Sequence, residues 1–75
     1  MVTNTIVNLL KERRIATGFT QQQVADKIGI RLTLFQDIEQ GERAMTLTEY
    51  YKTLRVLQLS ESTIIGYLFA SFYLP

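Results

Sequence analysis

The stretch TQQQVADKIGIRLTLFQDIEQGER, Thr20 to Arg43, gathers the side chains best suited to non-covalent recognition. Arg31 can make a bidentate contact to a guanine edge or bind a phosphate, Thr33 and Gln36 can bond base edges, and Leu32 or Leu34 can pack against thymine methyls. Asp37 works against this set, because a carboxylate facing phosphates repels them. Covalent chemistry has no comparable material. The sequence contains neither histidine nor cysteine, which removes thiol and imidazole catalysis, disulfides and the common zinc-ligand sets. It has no G-x-x-x-x-G-K-S/T phosphate loop, and Glu39, Glu42 and Glu49 read as pairing, loop and capping residues. No catalytic residue, metal site or cofactor is expected.

Positioning such side chains requires helices, and the sequence marks them almost throughout. Ile6, Leu9 and Leu10 recur at helical spacing and Gly18 stops the segment, predicting a first helix from about Asn4 to Thr17. Thr20 and Gln23 form a T-x-x-Q capping box that starts a second helix at Gln21. Its inward face is Val24, Ala25 and Ile28, and Gly29 ends it. A third helix is expected from Leu32 to Gln40, with Phe35 and Ile38 inward and Gly41 closing it. Arg31 is a weak N-cap, and Thr33 with Gln36 offers a rival box that would start this helix later. Thr46 and Glu49 cap a fourth helix, Leu47 to Gln58, whose predicted buried stripe is Tyr50, Tyr51, Leu54 and Leu57. In the last segment, STIIGYLFASFYLP, helical spacing aligns Ile64, Ile65, Leu68 and Phe72. Strand alternation leaves both faces apolar, so a helix is favoured, with Gly66 and the β-branched isoleucines keeping a strand open.

Length and charge bound what such elements can do. Seventy-five residues make one small domain, and a chain this short with 47% hydrophobic residues has apolar surface to spare for a second subunit. A net charge of +1 gives no bulk attraction to a polyanion, so any nucleic-acid binding depends on where the charges sit. Lys11, Glu12, Arg13 and Arg14 interrupt the first apolar residues, so no secretory leader is expected and the sequence reads as cytoplasmic. The uncharged run from Ser62 to Pro75 is too short to span a bilayer as a helix. Two helices joined by a short glycine turn and flanked by supporting helices form the arrangement that lays its second member in a major groove.

The run Arg14, Gly18, Phe19, Thr20, Gln21, Val24, Ala25, Gly29, Ile30, Phe35, Ile38, Glu39, Gly41 and Arg43 resembles the Xre/Cro helix-turn-helix family. The match covers about Ile6 to Leu59 without a gap. The resemblance implies an all-α, compact five-helix bundle of the lambda-repressor-like type, its last segment, about 61–75, serving dimerisation. It also implies a buried Arg14–Glu39 ion pair and phosphate contacts from Thr20 and Gln21, with Arg43 and Lys27 as further candidates. Base contacts fall on Arg31, Leu32, Thr33 and Gln36, where relatives commonly place polar or basic side chains and this sequence is more apolar. The expected dimer interface is Ile64, Ile65, Leu68, Phe69, Phe72 and Tyr73, against the alternative that part of it folds onto the core. The implied partners are a palindromic double-stranded DNA operator and a second copy of the chain. DIEQGER is similar to restriction-modification controller proteins and TLTEYYKTLRVLQLS to HipB-like antitoxins, with phage Cro-like repressors equally open. An antitoxin or antirepressor that binds a partner protein through its apolar surfaces is therefore the alternative function.

Overall fold

A computed structural model describes residues 2–57 together with Ile65, Gly66 and Phe69. The described residues are all-helical, with four α-helices: α1 (Asn4–Ala16), α2 (Gln21–Ile28), α3 (Leu32–Glu39) and α4 (Leu47–Val56). Their only β feature is an isolated antiparallel bridge between Val2 and Met45. The five-helix count is not supported. The segment expected to supply the fifth helix lies mostly outside the described residues, although Ile65, Gly66 and Phe69 are themselves helical.

Local sequence sets the helix ends. Thr20 and Thr46 each close a complete capping box, their hydroxyls accepting from the amides of Gln23 and Glu49 while those side chains accept from the cap amides. Thr3 caps α1 the same way, one-sidedly, through the Ile6 amide. Gly29 takes φ +81°, and its amide and that of Ile30 both return to the Ala25 carbonyl, so a left-handed residue makes the turn from α2 to α3. The expected ends shift slightly: Thr17 and Gln40 are C-caps rather than helical residues, and α4 stops at Val56 with Leu57 as its cap. The rival start for α3 is not used. Arg31 is the N-cap and makes no side-chain capping bond, and Gln36 turns elsewhere.

α2 packs on both α3 and α4, and α1 packs on α3. One core joins them: Val2, Ile6, Val7 and Leu10, then Val24, Ala25, Ile28, Phe35 and Ile38, closed by Met45, Tyr50, Leu54 and Leu57. One expectation fails here: Tyr51, expected on the buried stripe of α4, is 46% exposed, and Leu9 on α1 is 38% exposed. The stripe of α1 runs Ile6, Val7, Leu10 and that of α4 runs Tyr50, Thr53, Leu54, Leu57, which rotates Leu9 and Tyr51 toward solvent. Thr53 occupies the fourth core position by donating its hydroxyl to the Glu49 carbonyl at 2.8 Å, so no polar group is stranded.

The loop into α4 is held by Arg43, whose guanidinium pairs with Glu49 at 3.2 Å. Burial pushes the Glu49 carboxyl up. The backbone bond from Thr46, the hydrogen bonds and charge of Arg43 and the Thr46 side chain outweigh it, leaving the pKa below the ordinary carboxylate value. A carboxyl depressed in the folded state contributes stability that is fully present above its unfolded pKa of about 4.3 and is lost as pH falls through the lower folded value. The urea midpoint should therefore fall on acidification below about pH 4.3, and Glu49→Gln should lower the midpoint at neutral pH while flattening that acid dependence. A variant as acid-sensitive as the parent would place the dependence on another carboxylate.

Candidate nucleic-acid interface

The buried face of α3 is Phe35, Ile38 and Glu39. Its helical period therefore leaves Thr33, Gln36, Asp37 and Gln40 as one outward stripe at i, i+3, i+4 and i+7. Thr33 and Gln40 are exposed, as is Arg31 just before the helix, while Gln36 and Asp37 are half-buried. Leu32 and Leu34 flank the stripe and are half-buried, which gives Leu32 a smaller outward share than its expected role in base contact implies. Gln40 was absent from the expected reading set. Its i+4 spacing from Gln36 was the signal that finds it.

Behind this stripe lies the expected ion pair. Arg14 Nε donates to Glu39 Oε2 at 2.7 Å and Nη2 to Oε1 at 3.1 Å, with side chains only 11% and 4% exposed. Nη1 donates to the Phe19 carbonyl at 2.8 Å. One guanidinium thus ties the last turn of α1 to the end of α3 and to the chain entering α2. Its planar fork suits this arrangement, because three donors leave in fixed directions.

Glu39 has a further partner that the sequence did not reveal. Gln21 Nε2 donates to Glu39 Oε1 at 2.7 Å, and Gln36 Nε2 donates to Gln21 Oε1 at 3.4 Å. The first residue of α2 is therefore bonded to both the middle and the end of α3. Among the described residues no buried side-chain nitrogen or oxygen lacks a partner, so the buried part of this polar cluster is satisfied within the fold.

The remaining expected contacts divide. Thr20 is exposed and its hydroxyl is engaged as the cap of α2, while Lys27 is exposed in the last turn of that helix. Gln21 is half-buried and committed to Glu39 and Gln36, and Arg43 is committed to Glu49. Of the six interface residues proposed near the C-terminus, Ile65 and Phe69 are 54% and 60% exposed. Ile64, Leu68, Phe72 and Tyr73 lie outside the described residues. Among the described residues no cluster of three metal-ligating side chains occurs, and no helix is long and apolar enough to cross a membrane.

Removing one partner of a well-buried pair strands the other charge, which costs about 3–5 kcal/mol. Arg14→Met and Glu39→Ala should each fall near that range in urea unfolding, and the double variant should lose clearly less than the sum. Small, additive losses would mean that the pair is not energetically coupled.

A family model described as a helix-turn-helix domain matches residues 6–64. The antitoxin HipB of Escherichia coli (strain K12) is 36% identical over 55 residues, 73% of this chain and 62% of that protein. The cryptic phage CTXphi transcriptional repressor RstR of Vibrio cholerae serotype O1 (strain ATCC 39315 / El Tor Inaba N16961) is 37% identical over 57 residues, 76% of this chain and 51% of that protein. The chain thus matches 51–62% of the length of these relatives. With α2 and α3 meeting at the Gly29 turn, the Arg14–Glu39 pair behind them and the family match spanning all four helices, the chain belongs to the Xre-type helix-turn-helix DNA-binding family.

Proposed function

We propose that this chain is a sequence-specific regulator of transcription that lays α3 in the major groove of double-stranded DNA. The observation that carries the reading is the outward stripe Thr33, Gln36, Asp37 and Gln40, with Arg31 at its head, on a helix braced from behind by the Arg14–Glu39–Gln21 cluster. A helix of eight residues is marginal alone, so its orientation rests on that brace. Arg31 and Thr33 are the residues we assign to base edges together with Gln36, with Leu32 supplying an apolar edge for thymine methyls. Thr20 and Lys27 lie at the two ends of α2 and serve as phosphate contacts, the first beside helix amides that have no intrahelical acceptor. Gln21 and Arg43 reach phosphates only with whatever donors their internal bonds leave free.

One helix-turn-helix unit covers one half-site. Reading a palindrome, with half-sites about 34 Å apart, takes a two-fold dimer. We assign the dimer contact to the segment from about residue 61, in one domain with the four helices, because Ile65 and Phe69 are large, apolar and more than half exposed. A regulator of this kind acts in the cytoplasm. The likeness to a HipB antitoxin favours a second reading, in which an apolar surface binds a partner protein; Leu47 and Tyr51, 51% and 46% exposed at i, i+4 on α4, offer one.

Salt separates the two readings. Operator binding should weaken as salt rises, because each neutralised phosphate releases counterions, whereas an apolar protein complex holds or tightens. Arg31→Ala and Thr33→Ala should each relax preference at particular base pairs, at roughly 1–3 kcal/mol per contact. If both variants keep affinity and preference, α3 is not the reader and the partner-binding function takes its place.

Dimerisation has its own check. Ile65→Asp should give a folded monomer in sedimentation, since an unpaired carboxylate inside an apolar contact is strongly unfavourable. Operator affinity should fall with it as the second half-site is lost. A persistent dimer would move the interface elsewhere.

A further inference from the structure

Three carboxylates among the described residues are drawn back from solvent, and two of them are satisfied inside the fold. Glu39 is paired with Arg14 and Glu49 with Arg43. Even Asp26, which is exposed, accepts from Gln22 at 2.7 Å. The third, Asp37, is half-buried on the outward stripe of α3, and among the described residues its carboxylate has neither a hydrogen bond nor an ion pair. Its backbone is well held. The Asp37 carbonyl accepts the amides of Glu42 at 2.8 Å and Arg43 at 3.3 Å, which anchors the residue where α3 passes into its loop. The side chain therefore stands at a fixed place with its lone pairs unused, and a partly desolvated carboxylate gains most from a donor that arrives with a ligand.

We infer that Asp37 is a specificity residue of the proposed reading helix, its carboxylate accepting from the amino group of a cytosine. The major-groove edges single that base out. Guanine offers N7 and O6, both acceptors, and thymine an acceptor O4 beside a methyl group, so each opposes a carboxylate; adenine has an amino group but sets the acceptor N7 next to it. Cytosine alone presents a donor with no acceptor on its own edge. Arg31 lies about 9 Å back along the helix axis and suits the reverse, a guanine edge. The reading face thus carries opposite charges toward its two ends, which address different base pairs. The inference rests on the operator reading above and deepens it. Asp37 gains a selecting role in place of the simple repulsion of phosphates expected of it.

The test is enrichment of bound duplexes from a random pool by the full chain, Asp37→Ala and Asp37→Asn. The parent should select a C·G pair at one position of each half-site that Asp37→Ala no longer selects, with the other positions unchanged. Asparagine offers a donor beside its acceptor, so Asp37→Asn should admit adenine there as well as cytosine. Removing the amino group alone identifies the contact. With 2-pyrimidinone in place of that cytosine, the parent should bind roughly tenfold more weakly and Asp37→Ala nearly as before. Made at each selected cytosine in turn, this measurement needs only the parent chain and stands even if a variant does not fold. A parent indifferent to the missing amino group at every cytosine overturns the inference. So does an Asp37→Ala variant that binds all duplexes more tightly with the same consensus, which would leave Asp37 a charge that only repels phosphates. Failure of the parent chain to enrich any duplex overturns the operator reading, and the inference with it.

Discussion

The arrangement of the helix-turn-helix unit depends on one nearly buried guanidinium. Arg14 comes from α1, yet its three bonds end on α3 and on the chain leading into α2. An apolar pair of similar volume would fill the space and avoid desolvating two charges, and such replacements are often neutral or stabilising. Such a pair would not fix direction. The fork of Arg14 meets Glu39 edge-on, and Glu39 in turn has a lone pair left for Gln21, so the ion pair sets how α2 and α3 face one another. Its value to this molecule is geometric: the hydrophobic core supplies cohesion without orientation, and the polar cluster supplies orientation.

That division of labour explains why helices of eight residues suffice. Isolated segments so short do not persist in water. α2 is secured at its start by the Thr20 box and at its end by a left-handed glycine. α3 has no side-chain cap, and its stability comes from Phe35 and Ile38 inside the core and from Glu39 at its last turn. The consequence is a helix anchored by one face and one end, whose first turn is left to Arg31 and Thr33. Both are exposed, and Arg31 makes no side-chain capping bond.

What could be read in the sequence was what depends on neighbours in the chain. The capping boxes at Thr20 and Thr46, the glycine stops and the inward faces of α2 and α3 follow from spacings of three to seven residues, and the structure has all of them. Tyr51 is exposed where burial is expected because two adjacent aromatic residues, Tyr50 and Tyr51, define a helix without saying which of them faces inward; the packing partner decides. Thr53 was passed over because a hydroxyl looks unsuited to a core until its bond to the Glu49 carbonyl is known. The Arg14–Glu39 pair was legible through family resemblance alone, 25 residues apart in sequence. Gln21 shows the limit most clearly. Its type and position suit a phosphate, but its partners lie 15 and 18 residues away, and no local pattern encodes a bond that exists only once α2 and α3 have met.

The charge balance gains meaning from these bonds. Of eight lysines and arginines, Arg14 is consumed inside the fold and Arg43 is paired with Glu49, so the cations available to a polyanion are fewer than the sequence total. A protein that neutralises few phosphates has weak sequence-independent affinity and a shallow salt dependence relative to strongly basic binders. For the proposed regulator this shifts the burden to the grooves. With little holding the chain to DNA at large, the ratio of specific to non-specific binding can be high even where absolute affinity is modest, and that ratio is what finds one site among many. It also raises the demand on the few base-reading side chains to be correctly oriented before contact, since a wrong rotamer must be corrected out of a small binding energy. A reading face pre-set by a buried ion pair meets that demand, and it accounts for the presence of a costly buried charge in a domain of this size.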